Sequence, residues 1–269
     1  MLHNPNVVFA FILTLLAGLA TGIGSAISII SKKTNTKVLS LALGFSAGVM
    51  IYVSMMEILS KSFDVLHHEY GKAGGWFALI SFFSGIALTG IIDIIVPSAE
   101  NPHEIKRVET MPLPATNREQ QLMRLGLLSA LAIGIHNFPE GMATFVAALH
   151  DTKVGIPIAI AIALHNIPEG IAVAVPIFHA TKSRRKAFVY SFISGLAEPV
   201  GALIGFLILL PYMSDTIFGI VFGCIAGIMV FISVDELLPS AIKYGEHHYS
   251  ILGFISGMFI MSVSLILLQ

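Results

Sequence analysis

Apolar residues gather into eight long runs, broken only by small residues or isolated polar ones: Val7–Ile30, Val38–Ser60, Gly75–Val96, Leu122–Leu149, Gly155–Phe178, Lys186–Leu210, Thr216–Pro239 and Tyr249–Leu268. A helix rising 1.5 Å per residue needs about 20 apolar residues to cross a hydrocarbon core of roughly 30 Å. The pattern therefore predicts eight membrane-spanning helices. The connections are short except for Pro97–Gln121, a polar stretch holding four of the twelve prolines and read as the one flexible loop. The first run has no basic segment ahead of it and no small-residue cleavage site after it, so a retained span is expected rather than a cleaved leader.

The polar positions between the runs set an orientation. The loops after runs 1, 3, 5 and 7 carry twelve of the fifteen basic residues, among them Lys32, Lys33, Lys106, Arg107, Lys182, Arg184, Arg185 and Lys186. Those after runs 2, 4 and 6 carry three: Lys61, Lys72 and Lys153. Basic residues near span ends favour the cytoplasmic side, so both termini are predicted to lie outside.

The runs also repeat. Gly18–Gly24 (GLATGIG) resembles Gly195–Gly201 (GLAEPVG), and Ala47–Leu59 (AGVMIYVSMMEIL) resembles Ala226–Leu238 (AGIMVFISVDELL), at offsets of 177 and 179. A weaker match joins Phe83–Leu88 to Ile255–Ile260, at 172. Residues 7–96 and 186–268 are thus predicted to be two copies. Their first spans run in opposite directions, so the copies are inverted about an axis in the membrane plane. The central pair, 122–178, would lie on that axis, and 97–121 would form the cytoplasmic loop. The expected fold class is an all-α membrane protein of eight transmembrane helices with inverted repeats in one transmembrane domain. Inverted repeats with a site at their interface characterise secondary transporters that work by alternating access.

Composition agrees with a membrane chain. Charged residues make up 12% of the 269 positions and mean hydropathy is +0.86, whereas a soluble domain carries about 25% charged residues. A net charge of −1 argues against a nucleic-acid partner, and Cys224, the single cysteine, excludes an intrachain disulfide or a thiolate metal cluster.

The candidate chemistry lies in two hexapeptides, HNFPEG at His136–Gly141 and HNIPEG at His165–Gly170, each near the middle of its run. Spacings of i, i+4 and i, i+3 place His136, Asn137 and Glu140 on one helix face, and His165, Asn166 and Glu169 on another. Pro139 and Pro168 each delete a helix hydrogen bond and crowd the carbonyl four residues back. A charged side chain at the bilayer centre costs about 2.5–3.5 kcal/mol on insertion scales, so the glutamates need a cation or a proton. Imidazole, carboxamide and carboxylate donors without sulfur suit a divalent first-row ion, Zn²⁺ or Fe²⁺ before Ca²⁺ or Mg²⁺. The bland reading is a kinked helix whose polar groups satisfy displaced backbone; two antiparallel mid-membrane copies weigh against it. Glu198, in AEPVG, adds a third mid-span carboxylate where the other copy has Thr21. Glu57, Asp93, Asp235 and Glu236 stand near span ends, where they either line an approach or are plain solvated termini. His67, His68, His247 and His248 are placed in loops as ordinary surface residues, and His150 and His179 fit no pattern.

The paired hexapeptides, the eight spans and the outward termini resemble the ZIP family of divalent-metal transporters over the whole chain. The resemblance implies a 3+2+3 bundle in the cell membrane (a bacterial inner membrane), importing metal into the cytoplasm as a homodimer. Its partners would be divalent metal ions and the lipid bilayer, with no cofactor and no catalytic residues. It also implies a binuclear centre. Glu140, His165 and Glu169, with His136 close by, would favour zinc. Asn137, Glu140, Asn166, Glu169 and Glu198 would form a second position, associated with Fe²⁺ in similar bacterial members. Many members carry a His-rich loop after the third span, whereas Pro97–Gln121 holds only His103. The expected cargo is Zn²⁺, with Fe²⁺, Mn²⁺, Co²⁺ or Cd²⁺ as further candidates. The rival class, an intramembrane zinc hydrolase, would want a permanently held metal with an open position for water, and the His-Glu-x-x-His signature is absent.

Overall fold

The first apolar run folds as α1 (Pro5–Ile30), opening on a proline, whose missing N–H costs nothing in the first turn of a helix. In the computed structural model, residues 5–30, 36–95, 115–209, 212, 214–244 and 247–268 are described, and every regular element among them is helical.

The second run makes a longer helix than its apolar length predicts. α2 (Thr36–Val53), a π-turn (Ser54–Ile58) and α3 (Leu59–Tyr70) continue into one another. No glycine or proline interrupts the chain between Gly48 and Gly71. Gly71 ends the helix at φ 57°, its N–H donating to His67 O at 2.8 Å, a backbone state that glycine adopts without steric penalty. Lys61, His67 and His68, expected in a loop, therefore lie on α3. α4 (Lys72–Ile95) follows.

α5 (Ala115–His150) starts at Ala115 rather than Leu122, so 115–121, read from sequence as loop, is helical. Only Asp151 separates it from α6 (Thr152–Thr181), which Asp151 caps by accepting the Lys153 N–H at 2.9 Å. α7 (Arg184–Gly195), capped by Ser183, stops at Leu196, and α8 (Ala197–Ile204) begins at once, ending in a π-turn (Gly205–Leu209). The break falls where the Pro199 ring would crowd the carbonyl four residues back, that of Gly195. α9 (Asp215–Ile232), a third π-turn (Ser233–Leu237) and α10 (Leu238–Tyr244) again run on as one long helix. α11 (His247–Leu268) completes the chain. His247 and His248 open that helix; they do not sit in a loop.

Among the described residues, seven stretches are long and apolar enough to cross a membrane: 6–27, 37–70, 72–92, 152–175, 184–208, 215–242 and 247–267. The run expected as the fourth span lies within α5.

Helices that share lipid gain nothing from hiding apolar surface from each other, so close association comes from small residues that let backbones touch. Four pairs do this reciprocally. A Cβ on Gly24 of α1 would stand 1.8 Å from Ile167 O of α6, and one on Gly170 of α6 would stand 2.0 Å from Thr21 O of α1. Gly141 of α5 meets Glu198 O at 2.0 Å, while Gly201 of α8 meets Phe138 O at 2.1 Å. The same exchange joins α2 to α11 through Gly48 against Phe254 O (2.1 Å) and Gly257 against Phe45 O (2.2 Å). α4 and α9 meet through Gly85 and Gly227, where an added Cβ would stand 2.0 Å from Cys224 O and from Phe82 O respectively. Phe11, Phe145 and Phe206 fill the space between α1, α5 and the π-turn after α8, their ring centroids 4.7–6.1 Å apart.

Adding one methyl separates these contacts from ordinary helix surface. Gly48→Ala must push α2 away from α11 and is expected to destabilise by about 1–3 kcal/mol. At Gly75 the nearest atom to an added Cβ is 3.9 Å away, so Gly75→Ala should be neutral or stabilising by about 0.5–1 kcal/mol. Thermal unfolding of both variants in detergent measures the difference.

Candidate metal centre

Asn137 and Glu140 of α5, His165, Asn166 and Glu169 of α6, and Glu198 of α8 are all buried, none more than 1% exposed. Burying three carboxylates, two carboxamides and an imidazole together needs partners for their polar atoms. The contacts that supply them and hold their backbones involve six helices, α1, α2, α5, α6, α7 and α8.

His165 Nε2 stands 3.1 Å from Glu140 Oε1, linking α6 to α5. The His165 carbonyl accepts the Ser46 hydroxyl of α2 at 3.4 Å, and the Gly170 carbonyl accepts Ser191 Oγ of α7 at 3.0 Å. The two asparagines are anchored alike. Asn137 Nδ2 donates to Ser194 O at 3.3 Å, and Asn166 Nδ2 donates to Ala17 O at 2.9 Å and to Glu198 Oε1. With the amide nitrogens tied to backbone, both Oδ1 atoms are left buried with no hydrogen-bond donor among the described residues. Thr21 Oγ1 and Thr144 Oγ1 are in the same condition, Thr144 lying one turn past Glu140.

Glu198 owes its place to the helix break. It sits in the first turn of α8, where free N–H groups and the positive end of the helix dipole favour an anion. Pro199 thus creates a helix N-terminus inside an apolar run, and the carboxylate beside it also accepts the Asn166 amide. Glu169 lies one turn past His165 on α6. The His136 backbone belongs to α5, and its side chain is outside the described residues. Among the described residues no three His, Cys, Asp or Glu side chains converge on one point. An ion held here by described groups would need amide oxygen beside His165 and Glu140. Neutral oxygens in such a shell would bind less tightly than thiolates.

Glu57 and Glu236 are half-buried and Asp235 is exposed, all on the two π-turns of the long helices. They do not join the buried set. The side chains of Asp93 and His179, and all of His103, are outside the described residues. His150, for which the sequence offered no pattern, ends α5 and stacks on Phe218 of α9 with ring centroids 4.2 Å apart, its Nε2 3.5 Å from Asp215 Oδ1. With Lys61, Asp64, His68 and Asp151 these residues line a cleft of about 310 Å³. Sequence reasoning also passed over Ser46, Ser191 and Thr144. Their only signal was a hydroxyl in an apolar run, which more often bonds its own helix.

A ZIP zinc transporter family model matches residues 5–265. The zinc transporter ZupT of Streptococcus mutans is 59% identical over 259 residues, spanning 96% of this chain and 97% of its own length. Its namesake in Oceanobacillus iheyensis is 59% identical over 265 residues, spanning 98% of this chain and 99% of its own. That of Chlorobium chlorochromatii is 56% identical over 265 residues, again 98% and 99%. A match over nearly the whole length, with seven membrane-length apolar helices, means that this multi-pass membrane protein belongs to the ZIP zinc transporter family.

Proposed function

We propose that the protein carries divalent transition-metal ions, chiefly Zn²⁺, through the cell membrane into the cytoplasm by alternating access. The observation that carries this reading is the fully buried His165–Glu140 contact between α5 and α6, flanked by two carboxamide oxygens that have no donor among the described residues. The names of the relatives point to the same cargo. A dication neutralises two glutamates that the low-dielectric interior would otherwise penalise heavily. Neutral imidazole supplies nitrogen, and the shell contains no sulfur, so the ion can leave. The zinc position is assigned to the His165–Glu140 pair with Glu169 and His136, which requires Glu169 to close on that pair when the ion binds. A second position, for Fe²⁺, is assigned to Asn137, Glu140, Asn166, Glu169 and Glu198. The cleft lined by His68, His150, Asp64 and Asp215 serves as the outer approach.

Eight spans in a 3+2+3 order, with both termini outside, fit the pairings. Asn137 with Ser194 O and Asn166 with Ala17 O are counterparts at offsets of 29 and 177. So are Gly141 with Glu198 O and Gly170 with Thr21 O. The π-turns at Ser54 and Ser233 lie 179 residues apart, the offset of the second repeated motif. The α2–α11 and α4–α9 contacts join helices of opposite copies, and the α1–α6 and α5–α8 contacts tie each copy to the central pair, so the copies themselves are poor candidates for rigid moving parts. We assign the motion instead to α1, α5, α6, α7 and α8 as one body against α2, α3, α4, α9, α10 and α11. A homodimer would use the outward apolar faces of α4 and α11. The rival reading as a zinc hydrolase has no support: the relatives are named as transporters, and the buried set offers no His-Glu-x-x-His pair.

In sealed vesicles loaded with a zinc-sensitive dye, the protein should admit Zn²⁺ or Cd²⁺, and Glu140→Ala should abolish uptake. Normal uptake by that variant would remove the bridging role. Glu198→Ala should keep zinc uptake while changing the ratio of Fe²⁺ to Zn²⁺ transported, which competition between the two ions measures. Asn166→Ala frees Ala17 O and Glu198 together; the half-saturating zinc concentration should rise about 10–100-fold, and an unchanged value would show that the amide does not orient the site.

A further inference from the structure

An apolar groove lies on the outer face of the helices that carry the centre, and the reading of the chain as a zinc transporter does not use it. Leu127, Leu131, Gly134 and Phe138 of α5 form one wall, and Tyr190 and Ile193 of α7 form the other, enclosing about 490 Å³. That volume lies within the range of small-molecule sites, about 300–1,000 Å³. Eleven helical steps from Leu127 to Phe138 span about 16 Å, roughly half of a ~30 Å hydrocarbon core. The groove is therefore as long as one leaflet is deep.

Two features make it more than ordinary lipid-facing surface. The first is Gly134. The interhelix glycines described above press against facing carbonyls, but a Cβ at Gly134 would meet nothing nearer than Ser194 Cα at 4.0 Å. Glycine in a helix interior is unfavourable relative to alanine, and no tight backbone contact explains it here. What its missing side chain does is keep the groove floor open. The second is charge. Lys186 stands one turn before Tyr190 on the same face of α7, with Lys182, Arg184 and Arg185 beside it, all exposed. No described carboxylate lies within ion-pair reach of any of the four. An apolar slot one leaflet long, with exposed cations at one end that meet no carboxylate among the described residues, matches one molecule in shape and charge.

We propose that this groove is a binding site for an anionic phospholipid, with an acyl chain between α5 and α7 and the phosphate on Lys186 and its basic neighbours. The floor residue Ser194 offers its carbonyl to Asn137, so the bound chain braces the backbone that positions one carboxamide of the centre.

Native mass spectrometry of the detergent-purified protein tests this without relying on transport. It would be titrated with phosphatidylglycerol or with phosphatidylcholine of identical chains. Phosphatidylglycerol should be retained at least tenfold better, consistent with roughly fivefold per engaged basic side chain. Arg185→Gln combined with Lys186→Gln should bring that ratio close to one, while Lys153→Gln, at the opposite end of the helices, leaves it unchanged. Gly134→Leu, which fills the floor, should cut retention of both lipids severalfold with the melting temperature preserved. Equal retention of the two lipids by the unaltered protein overturns the proposal. So does a charge preference that survives the exposed double variant, whose folding is not in question.

Discussion

Three carboxylates buried among helices set the terms for the rest of this structure. Glu140, Glu169 and Glu198 cannot be hydrated where they lie, and a buried anion is tolerated only beside positive charge, hydrogen-bond donors or a helix N-terminus. Each compensation uses a different part of the chain. Glu140 faces an imidazole from the antiparallel neighbour. Glu198 takes both the first turn of a helix broken for the purpose and an amide from α6. The asparagines give their nitrogens to backbone carbonyls of α7 and α1, which leaves both oxygens buried with no hydrogen-bond donor among the described residues. The set that results is rich in oxygen and poor in positive charge by its residue types, which is the chemistry from which a divalent cation is proposed as its cargo.

Holding that set requires backbones to come closer than side chains allow. Gly24, Gly141, Gly170 and Gly201 sit next to the polar residues in sequence and bring α1 and α8 against α6 and α5 at the level of the centre. The hexapeptide glycines are therefore packing residues: they set how near the neighbouring helix comes, and hence where Thr21 and Glu198 stand. The same device recurs between α2 and α11 and between α4 and α9, away from the polar set. Such contacts hold two backbones close without directional bonds.

Much of this was legible in the chain. Hydropathy placed the helices because a spanning segment must satisfy its backbone internally and hide no charge. The duplicated hexapeptides marked the buried polar set, since polar residues are costly in the middle of an apolar run. Helix ends were less legible. Nothing in apolar length announces that α3 runs on to Tyr70 or that α5 starts at Ala115, since a helix continues until glycine, proline or a cap stops it, whether or not lipid does. His67, His68, His247 and His248 were misplaced in loops for that reason. The π-turns were not visible either, as one extra residue in a turn leaves the apolar pattern almost unchanged.

The sequence alone determined that the chain crosses a membrane, which residues bring nitrogen and oxygen donors, and that Thr21 breaks a symmetry that Glu198 fills. These follow from local chemistry, read one residue or one turn at a time. Only the tertiary structure decided that His165 of α6 meets Glu140 of α5, that Asn166 serves Ala17 O and Glu198 together, and that His150 leans on Asp215 and Phe218. Those facts depend on how far apart two backbones lie and how one helix is rotated against the next. Such quantities are set by glycine contacts between segments distant in the chain, and no window of sequence contains them.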